Sequence, residues 1–339
     1  MALKVAVNGF GIIGRLAFRE MFDKDDFEIV AINDLSNAEM IAYLLKYHAR
    51  QGKFRHWREV TSTDHALIIG DRAIPVFNEP DASKLPWKEL GVDVVLECTG
   101  AYTSRAKAQK HLDAGAKKVV ISAPAGKDVP TVVYNINHKT LKPEDRIIST
   151  ASCTTNCLAP MAKALNELAP IQGGIICTVH AYTSDQSVID GPFRKNDFRR
   201  SRAAAENIVP TATGAAKAIG LVLPELDGKL IGAAQRIPLP VGSVTLLMAS
   251  VKGRVSVDEI NAAMKSAVTV SFGYNDEEIV SKDIIGMDYG SLFDSTQTLV
   301  VPMEDGNTQV QVAAWYDNEH SYVQQMIRTL KYLETMKGE

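Results

Sequence analysis

The sequence has few cysteines and no long apolar run, and both shortages narrow the class of protein. Four cysteines occur in 339 residues and none forms a CxxC pair, so neither a disulfide framework nor a zinc site is predicted. No stretch approaches the ~20 consecutive apolar residues that span a bilayer. The first ten residues lack the basic and apolar regions of a signal peptide. We therefore expect a cytoplasmic protein with free thiols and no metal ion.

Excess charge and aromatic side chains are also scarce. The net charge is −3, charged residues make up 23% of the chain, and aromatic residues make up 7%. This balance gives no overall attraction to nucleic acid or acidic membranes, so we expect no dedicated partner of either kind. Hydrophobic residues form 46% of the chain, which is enough to fill a sizeable core. The length suits one large domain or, more readily, two.

The hydrophobic pattern changes near residue 150. Before that point short apolar strands alternate with helical stretches, and afterwards a helix is followed by longer β-rich runs. The predicted strands are 3–8, 28–32, 92–97, 118–122, 174–182, 229–237, 243–251, 298–301 and 309–316, and the predicted helices are 14–22, 104–114 and 153–168. The pattern predicts an α/β protein. Residues 1–150 would form a Rossmann-type parallel sheet domain and 151–317 an α+β catalytic domain with a mostly antiparallel sheet. Residues 318–339 are predicted to form a helix that packs back on the first domain.

A glycine-rich turn between the first strand and the first helix predicts a dinucleotide site. Gly9, Gly11 and Gly14 have GxGxxG spacing, which lets a pyrophosphate approach the N–H groups of a helix N-terminus. Asp34 stands at the end of the second predicted strand, just beyond its last apolar residue, where a carboxylate accepts hydrogen bonds from ribose hydroxyls. Because it would also repel a 2′-phosphate, NAD is predicted rather than NADP. The alternative is a plain structural turn with a solvated Asp34.

The segment ASCTTNC, at a predicted junction between a strand and a helix, indicates a reactive thiol at Cys153. A thiol at a helix N-terminus is expected to have a lowered pKa and to react as a thiolate. The alternative is an inert buried cysteine, which is the interpretation for Cys98, Cys157 and Cys177.

A thiol nucleophile needs a base, and His180 is the best placed of the seven histidines because it ends a predicted strand. A structural histidine is the alternative there, and His320 is a weaker candidate for the base. Polar neighbours suggest surface positions for the others, namely His48, His56, His65, His111 and His138.

Five motifs, in chain order, resemble those of phosphorylating glyceraldehyde-3-phosphate dehydrogenases. They are NGFGIIGR, ASCTTNC, TVHAYT, TGAAKA and WYDNEHSY, and the similarity runs from Val5 to about Leu333. The resemblance implies NAD-dependent oxidation of D-glyceraldehyde 3-phosphate, with inorganic phosphate, to 1,3-bisphosphoglycerate. Cys153 would form a thiohemiacetal and then a thioester, and His180 would act as the base.

The resemblance also implies roles for further residues. For the substrate phosphate they are Thr183, Asp185 and Arg236. For inorganic phosphate and the reacting carbonyl they are Ser152, Thr154, Arg200, Thr213 and Gly214, with Arg199 as the alternative to Arg200. For NAD they are Asn8, Gly9, Gly11, Ile12, Ile13, Asp34, Thr99, Ser122, Asn318 and Tyr322. Side-chain contacts that relatives make from arginines near positions 12 and 78 are not carried over, because Ile12 and Asn78 stand there.

The same resemblance implies a homotetramer with the loop near residues 182–206 at subunit contacts. Two other functions stay open. One is an erythrose-4-phosphate dehydrogenase, which shares the nucleophile and the base, although Arg200, Thr213 and Gly214 favour the phosphorylating enzyme. The other is an RNA- or surface-binding interaction protein on the same scaffold. The chain has no basic tail or RNP-like aromatic pair that would indicate a dedicated nucleic-acid module.

Overall fold

A computed structural model describes residues 2–193 and 196–336 of the chain. Residues 337–339 of the predicted closing helix lie outside the described residues. The chain forms two compact units. The first contains the described residues of Met1–Val132, His138–Ala151 and Met326–Glu339, and the second contains those of Val133–Asn137 and Ser152–Gln325.

The first unit is a sheet with helices between its parallel strands. Its strands are β1 (Leu3–Asn8), β2 (Phe27–Asn33), β3 (Tyr47–His48), β4 (Gly52–Lys53), β5 (Val60–Thr63), β6 (Ala66–Ile69), β7 (Arg72–Phe77), β8 (Val94–Glu97), β9 (Lys118–Ile121) and β10 (Ile147–Ser149). Its helices are α1 (Ile12–Met21), α2 (Ala38–Lys46) and α3 (Arg105–Asp113). The large sheet has the order β10-β9-β8-β1-β2-β7-β6-β5.

The parallel part of that sheet, from β10 to β7, is its apolar centre. Val5 and Val7 of β1 and Leu96 of β8 are fully buried, as expected for strands covered on both faces. Because β8, β1 and β2 are neighbours and run parallel, their carboxyl ends meet at one edge. Ligands of open α/β sheets bind at this kind of edge.

The second unit contains a mixed, mostly antiparallel sheet. Its strands are β11 (Ile171–Ala181), β12 (Val209–Ala212), β13 (Leu230–Ile237), β14 (Ser243–Val251), β15 (Phe272–Asn275), β16 (Ser291–Asp294), β17 (Leu299–Pro302) and β18 (Thr308–Tyr316). Its helices are α4 (Cys153–Leu168), α5 (Ala215–Val222) and α6 (Val257–Ser266). The order is β12-β13-β11-β14-β18-β16-β15, with β17 also paired to β18. Only the β11–β13 and β15–β16 pairs among these are parallel.

The last helix, α7 (His320–Thr335), begins in the second unit and ends in the first. Within the first unit Leu330 and Leu333 are buried, and Lys331 pairs with Asp26 at 2.5 Å. Within residues 2–193 and 196–336, no helix combines the length and the apolar character needed to cross a membrane.

The predicted fold class is confirmed, and several elements have the predicted bounds. Strands β1 and β14 and helix α4 begin and end where the sequence pattern places them. The prediction that His48, His111 and His138 lie at the surface is wrong, because their exposed fractions are 8%, 0% and 8%.

Candidate active site

The glycine turn of the first unit lies at the carboxyl end of β1 and packs against the end of β8. Gly9 has a φ of +92°, and a Cβ there would lie 2.6 Å from the backbone nitrogen of Thr99. A Cβ on Gly14 would overlap the carbonyl oxygen of Gly9. Both positions therefore require glycine, and the turn leaves the start of α1 open to a ligand.

The carboxylate of Asp34 is fixed beside this turn. Its Oδ2 accepts a hydrogen bond of 2.7 Å from the backbone of Phe10, and its Oδ1 accepts one of 2.9 Å from Ser36. The Asn78 amide donates to the carbonyl oxygens of Asp34 and Ser36, so it braces the loop. A bare glycine turn with an adjacent anchored carboxylate fits the pyrophosphate and the ribose of NAD.

The remaining predicted cofactor residues of this unit differ in exposure. Gly11 is exposed and is the N-cap of α1, and Ile12 and Ile13, half-buried, are its first residues. Thr99 is exposed and Ser122 is half-buried, each just beyond the carboxyl end of a strand. Asn8 is only 1% exposed, and its side chain belongs to a buried network.

Cys153 is the first residue of α4, and the local chain geometry places it there. Ser152 is the N-cap, and its hydroxyl accepts a hydrogen bond of 3.1 Å from the backbone of Thr155. Ala151, fully buried, has a φ of +57°, an uncommon backbone conformation for a residue with a side chain. Such outliers persist where the surrounding structure holds them, and they cluster at active sites.

His180, near the end of β11, faces the thiol. Its Nε2 is 3.5 Å from the Cys153 Sγ, and its Nδ1 is 2.6 Å from the carbonyl oxygen of Ala181. We assign the ring proton to Nδ1, which donates to that carbonyl and leaves the lone pair of Nε2 facing the sulfur. Burial, followed by the charge of Arg236, lowers the pKa of His180 to about 3, so the ring is neutral at pH 7.

The expected lowering of the Cys153 pKa is wrong for this structure. Burial raises the pKa of the thiol, and the charge of Arg236 and the hydrogen bonds of Thr154 offset only part of that effect. Desolvation of the charged form outweighs the helix terminus here. The resting pair is therefore a thiol beside a neutral imidazole, and His180 is positioned to accept the thiol proton.

Strand register places Arg236 directly opposite His180. The parallel β11–β13 pairing aligns the two residues, and the Arg236 Nη1 lies 3.0 Å from the His180 Nδ1. The same nitrogen donates to Thr183 Oγ1 at 3.0 Å. Asp185 accepts from Thr183 and pairs with Arg200. Two guanidinium groups therefore converge beside the histidine, a suitable arrangement for a phosphate.

One group of the predicted anion-binding residues lies beside His180, and a second group lies between β12 and α5. Direct contacts link the Cys153 thiol to His180 and His180 to Arg236. They continue from Arg236 through Thr183 and Asp185 to Arg200. Arg199 instead donates to the carbonyl oxygen of Pro210 at 3.5 Å. Thr213 and Gly214 lie between β12 and α5, where the Thr213 hydroxyl accepts from the backbone of Ala215.

Tyr316, which the sequence pattern suggested only as strand packing, ties the elements of the site together. Its hydroxyl is 3.0 Å from the Thr154 Oγ1 and 2.7 Å from the Thr178 Oγ1. Its ring meets that of His180 edge-on at 5.7 Å. Its position on the inward face of β18 could have indicated this role, because a buried tyrosine hydroxyl needs a polar partner.

The two predicted cofactor residues of the second unit are both buried. The Asn318 Oδ1 accepts from the backbone of Gly242 at 3.1 Å and from the Ser243 hydroxyl at 3.2 Å. That hydroxyl also accepts from the backbone of Ala181, next to the histidine. Tyr322 is 3% exposed in α7. The Asn318 amide therefore has a fixed orientation.

Two of the other cysteines, Cys98 and Cys157, are held as thiols by their surroundings. All four cysteines are free thiols. Burial raises the pKa of Cys98 and of Cys157 to about 12, and the Cys157 thiol donates to the carbonyl oxygen of Ala314. Across the described parts of the chain, no group of three or more His, Cys, Asp or Glu side chains is arranged to hold a metal ion.

The fold and these sites define an NAD-dependent oxidoreductase of the α/β class. Residues 3–105 match the family model for the glyceraldehyde 3-phosphate dehydrogenase NAD binding domain, and residues 152–318 match the model for the C-terminal domain. The chain belongs to the glyceraldehyde 3-phosphate dehydrogenase family.

Curated relatives named glyceraldehyde-3-phosphate dehydrogenase match over nearly their whole length. One from Clostridium pasteurianum is 56% identical over 97% of this chain and 98% of that protein. One from Streptococcus pyogenes serotype M1 is 55% identical over 98% of each chain. One from Lactobacillus delbrueckii subsp. bulgaricus is 54% identical over 99% of this chain and all of that protein.

Proposed function

We propose that this protein oxidises D-glyceraldehyde 3-phosphate with NAD and inorganic phosphate to give 1,3-bisphosphoglycerate. The observation that carries the proposal is the Cys153 thiol at the start of α4, 3.5 Å from the Nε2 of a neutral His180. A nucleophile in contact with an oriented base is the arrangement that covalent catalysis needs. The relatives at 54–56% identity support the substrate.

In the proposed reaction the Cys153 sulfur attacks the aldehyde carbon while His180 Nε2 accepts the thiol proton. A thiohemiacetal forms on the sulfur. His180 first passes this proton to the oxygen of the thiohemiacetal. It then accepts the hydroxyl proton as hydride leaves the carbon. Inorganic phosphate attacks the resulting thioester and the carbon–sulfur bond breaks. The departing sulfur takes back the proton held on His180 Nε2, which restores both the thiol and the neutral ring. The covalent step keeps the acyl group activated until phosphate arrives.

NAD supplies the hydride acceptor when it is bound. The glycine turn of Gly9 and Gly14 would hold its pyrophosphate, and Asp34 would accept hydrogen bonds from a ribose. Asn318, whose Oδ1 is held by Gly242 and Ser243, would bond the carboxamide through its amide nitrogen. The predicted contacts of Thr99, Ser122 and Tyr322 belong to the same proposal. Asn8, whose side chain is buried, takes part only through the turn that it supports.

We propose two anion subsites, and the distribution of donors supports them. We assign the substrate phosphate to Thr183, Asp185 and Arg236, with Arg236 as the main cation. Inorganic phosphate is assigned to Arg200 and Thr213, with Gly214, Ser152 and Thr154 nearby in the proposal. Arg200 is preferred to Arg199 because it contacts Asp185, within the cluster around His180.

We also propose a homotetramer in the cytoplasm. The loop near residues 182–206 carries large apolar side chains with high exposed fractions, 82% for Val188, 73% for Ile189 and 84% for Phe198. Exposed apolar groups in one loop are suited to a subunit contact. Sedimentation velocity would test this directly, with a species near four times 36.9 kDa expected.

The function is tested by following NADH absorbance with glyceraldehyde 3-phosphate, with and without phosphate. We expect a rise that depends on phosphate and is lost by several orders of magnitude in Cys153→Ser, while NAD still binds. Cys177→Ser is the matched control and should keep its activity. A phosphate-independent rate with a preference for erythrose 4-phosphate would contradict the substrate assignment. Full activity of Cys153→Ser would remove the nucleophile assignment.

A further inference from the structure

A network of buried polar side chains lies beneath the glycine turn of the first unit. Four members, Asn8, Asn33, Glu97 and His111, have exposed fractions of 1%, 5%, 1% and 0%, and we call them the edge network. Asn8, Asn33 and Glu97 are the last residues of β1, β2 and β8. They therefore occupy the carboxyl edge, where an open α/β sheet binds its ligand.

The Glu97 carboxylate is the centre of this network. Its Oε2 accepts from the Asn8 amide at 2.5 Å and from the His111 Nε2 at 3.1 Å. Its Oε1 accepts from the backbone nitrogen of Thr99 at 2.8 Å and also from the Thr99 hydroxyl. A carboxylate offers acceptors only, so four donors hold it in one orientation.

The protonation of His111 follows from its other partner. The indole nitrogen of Trp87, which can only donate, lies 3.1 Å from the His111 Nδ1. The His111 Nδ1 is therefore the acceptor, and its Nε2 carries the hydrogen and donates a hydrogen bond to the Glu97 carboxylate. Asn8 continues the network, because its Oδ1 accepts from the Asn33 amide at 2.7 Å. Asn33 in turn bonds the backbone of Glu79 at both of its polar atoms.

The network meets the cofactor turn at Thr99. A Cβ on Gly9 would lie 2.6 Å from the Thr99 nitrogen, so the turn is packed directly on the residue that Glu97 holds. The backbone of Cys98 also donates to the carbonyl oxygen of Asn8. A shift of Glu97 therefore moves the surface against which Gly9 packs.

We propose that Glu97 and His111 are positioning residues for NAD, which hold Thr99 and Asn8 so that the glycine turn keeps its shape for the pyrophosphate. Neither residue was a predicted cofactor contact, and both are buried below the turn. The inference deepens the proposed function, since it relies on the glycine turn being the NAD site. It also assigns Asn8 an indirect role, because its amide is already occupied by Asn33 and Glu97.

The test compares three variants of buried histidines in the full-length protein. His111→Leu removes both hydrogen bonds. Loss of the bond to Glu97, which holds Thr99, is expected to raise the Kd for NAD about ten-fold. The KM for NAD should rise in parallel while kcat at saturating NAD stays within about two-fold. His111→Gln can still donate to Glu97 and accept from Trp87, so it should bring the Kd back near that of the unaltered protein.

His138→Leu is the matched control. His138 is a buried histidine of the same unit, and its ring packs against Tyr332 instead of the cofactor edge. We expect its melting temperature to fall without a comparable change in the Kd for NAD. Equal Kd changes in His111→Leu and His138→Leu would refute positioning, because a general loss of stability would then explain both.

Two more variants keep the inference testable if His111→Leu does not fold. Glu97→Gln has the same shape but offers one acceptor oxygen instead of two, and should also raise the Kd for NAD about ten-fold. An unchanged Kd would overturn the proposal.

Gly14→Ala distinguishes failure of the positioning role from failure of the proposed NAD site. If Gly14→Ala binds NAD normally, the glycine turn is not the NAD site and the proposed function loses that part. If only Gly14→Ala weakens binding, the positioning role alone is wrong.

Discussion

The clearest prediction concerns the proton between Cys153 and His180. The pKa of His180 is about 3, so at pH 7 the imidazolium is less populated than the neutral ring by roughly four orders of magnitude. This ratio corresponds to a free-energy difference of about 5 kcal/mol between the two protonation states. Burial raises the pKa of the Cys153 thiol. At neutral pH the resting pair therefore carries its proton on sulfur, and reaction of the thiol depends on transfer to His180.

The perturbation is His180→Gln, which keeps a polar side chain but removes the base. A positioned general base contributes about 10²–10⁴-fold, so turnover at pH 7 should fall by that factor. The rate of Cys153 alkylation by iodoacetamide should also fall at pH 7. It should approach the rate of the unaltered protein at alkaline pH, where hydroxide removes the thiol proton directly.

The assay is the pH profile of alkylation without cofactor, followed by mass spectrometry of the Cys153 peptide. In the unaltered protein the rate should rise with pH, because a thiol with a raised pKa gains its thiolate form only as pH increases. His138→Gln serves as the control and should reproduce that profile. A flat rate between pH 5 and 8 would mean a resting thiolate–imidazolium pair and would refute the reasoning, as would identical profiles for His180→Gln and the unaltered protein.

Three further predictions concern the ligand sites. Gly14→Ala should weaken NAD binding at least about ten-fold by calorimetry, because its Cβ would overlap the carbonyl oxygen of Gly9; normal affinity would contradict the steric argument. Asp34→Ala should raise the ratio of kcat/KM for NADP over NAD, since the repelling carboxylate is gone, and an unchanged ratio would show that another group selects NAD. Arg200→Gln should raise the KM for phosphate about ten-fold or more, as expected for the loss of a charged hydrogen bond, whereas Arg199→Gln should change it little; the reverse order would exchange their roles.

Local patterns predicted the elements that carry the reacting groups. Apolar residues at helical spacing, such as Leu158, Met161 and Leu165, indicated α4 from its first residue to its last. Alternation in β14 gave that strand its bounds as well. These features depend on neighbours in sequence, so the period of the pattern is sufficient to detect them.

Features that depend on distant partners were not predictable in this way. His180 and Arg236 are 56 residues apart and meet only through the register of two parallel strands. His111 has polar neighbours in α3, but its partners Glu97 and Trp87 lie 14 and 24 residues away. Its burial is set by those tertiary contacts, which explains why its neighbours in sequence wrongly indicate a surface position.

The left-handed backbone of Ala151 restricts how this segment can change. Its Cβ is fully enclosed, so any larger side chain must push neighbours aside, while β-branched residues are strongly disfavoured at positive φ. Glycine suits the backbone angle, but it gives the unfolded chain more conformational freedom to lose on folding. In a saturation library selected for turnover, position 151 should therefore return almost nothing except alanine and glycine.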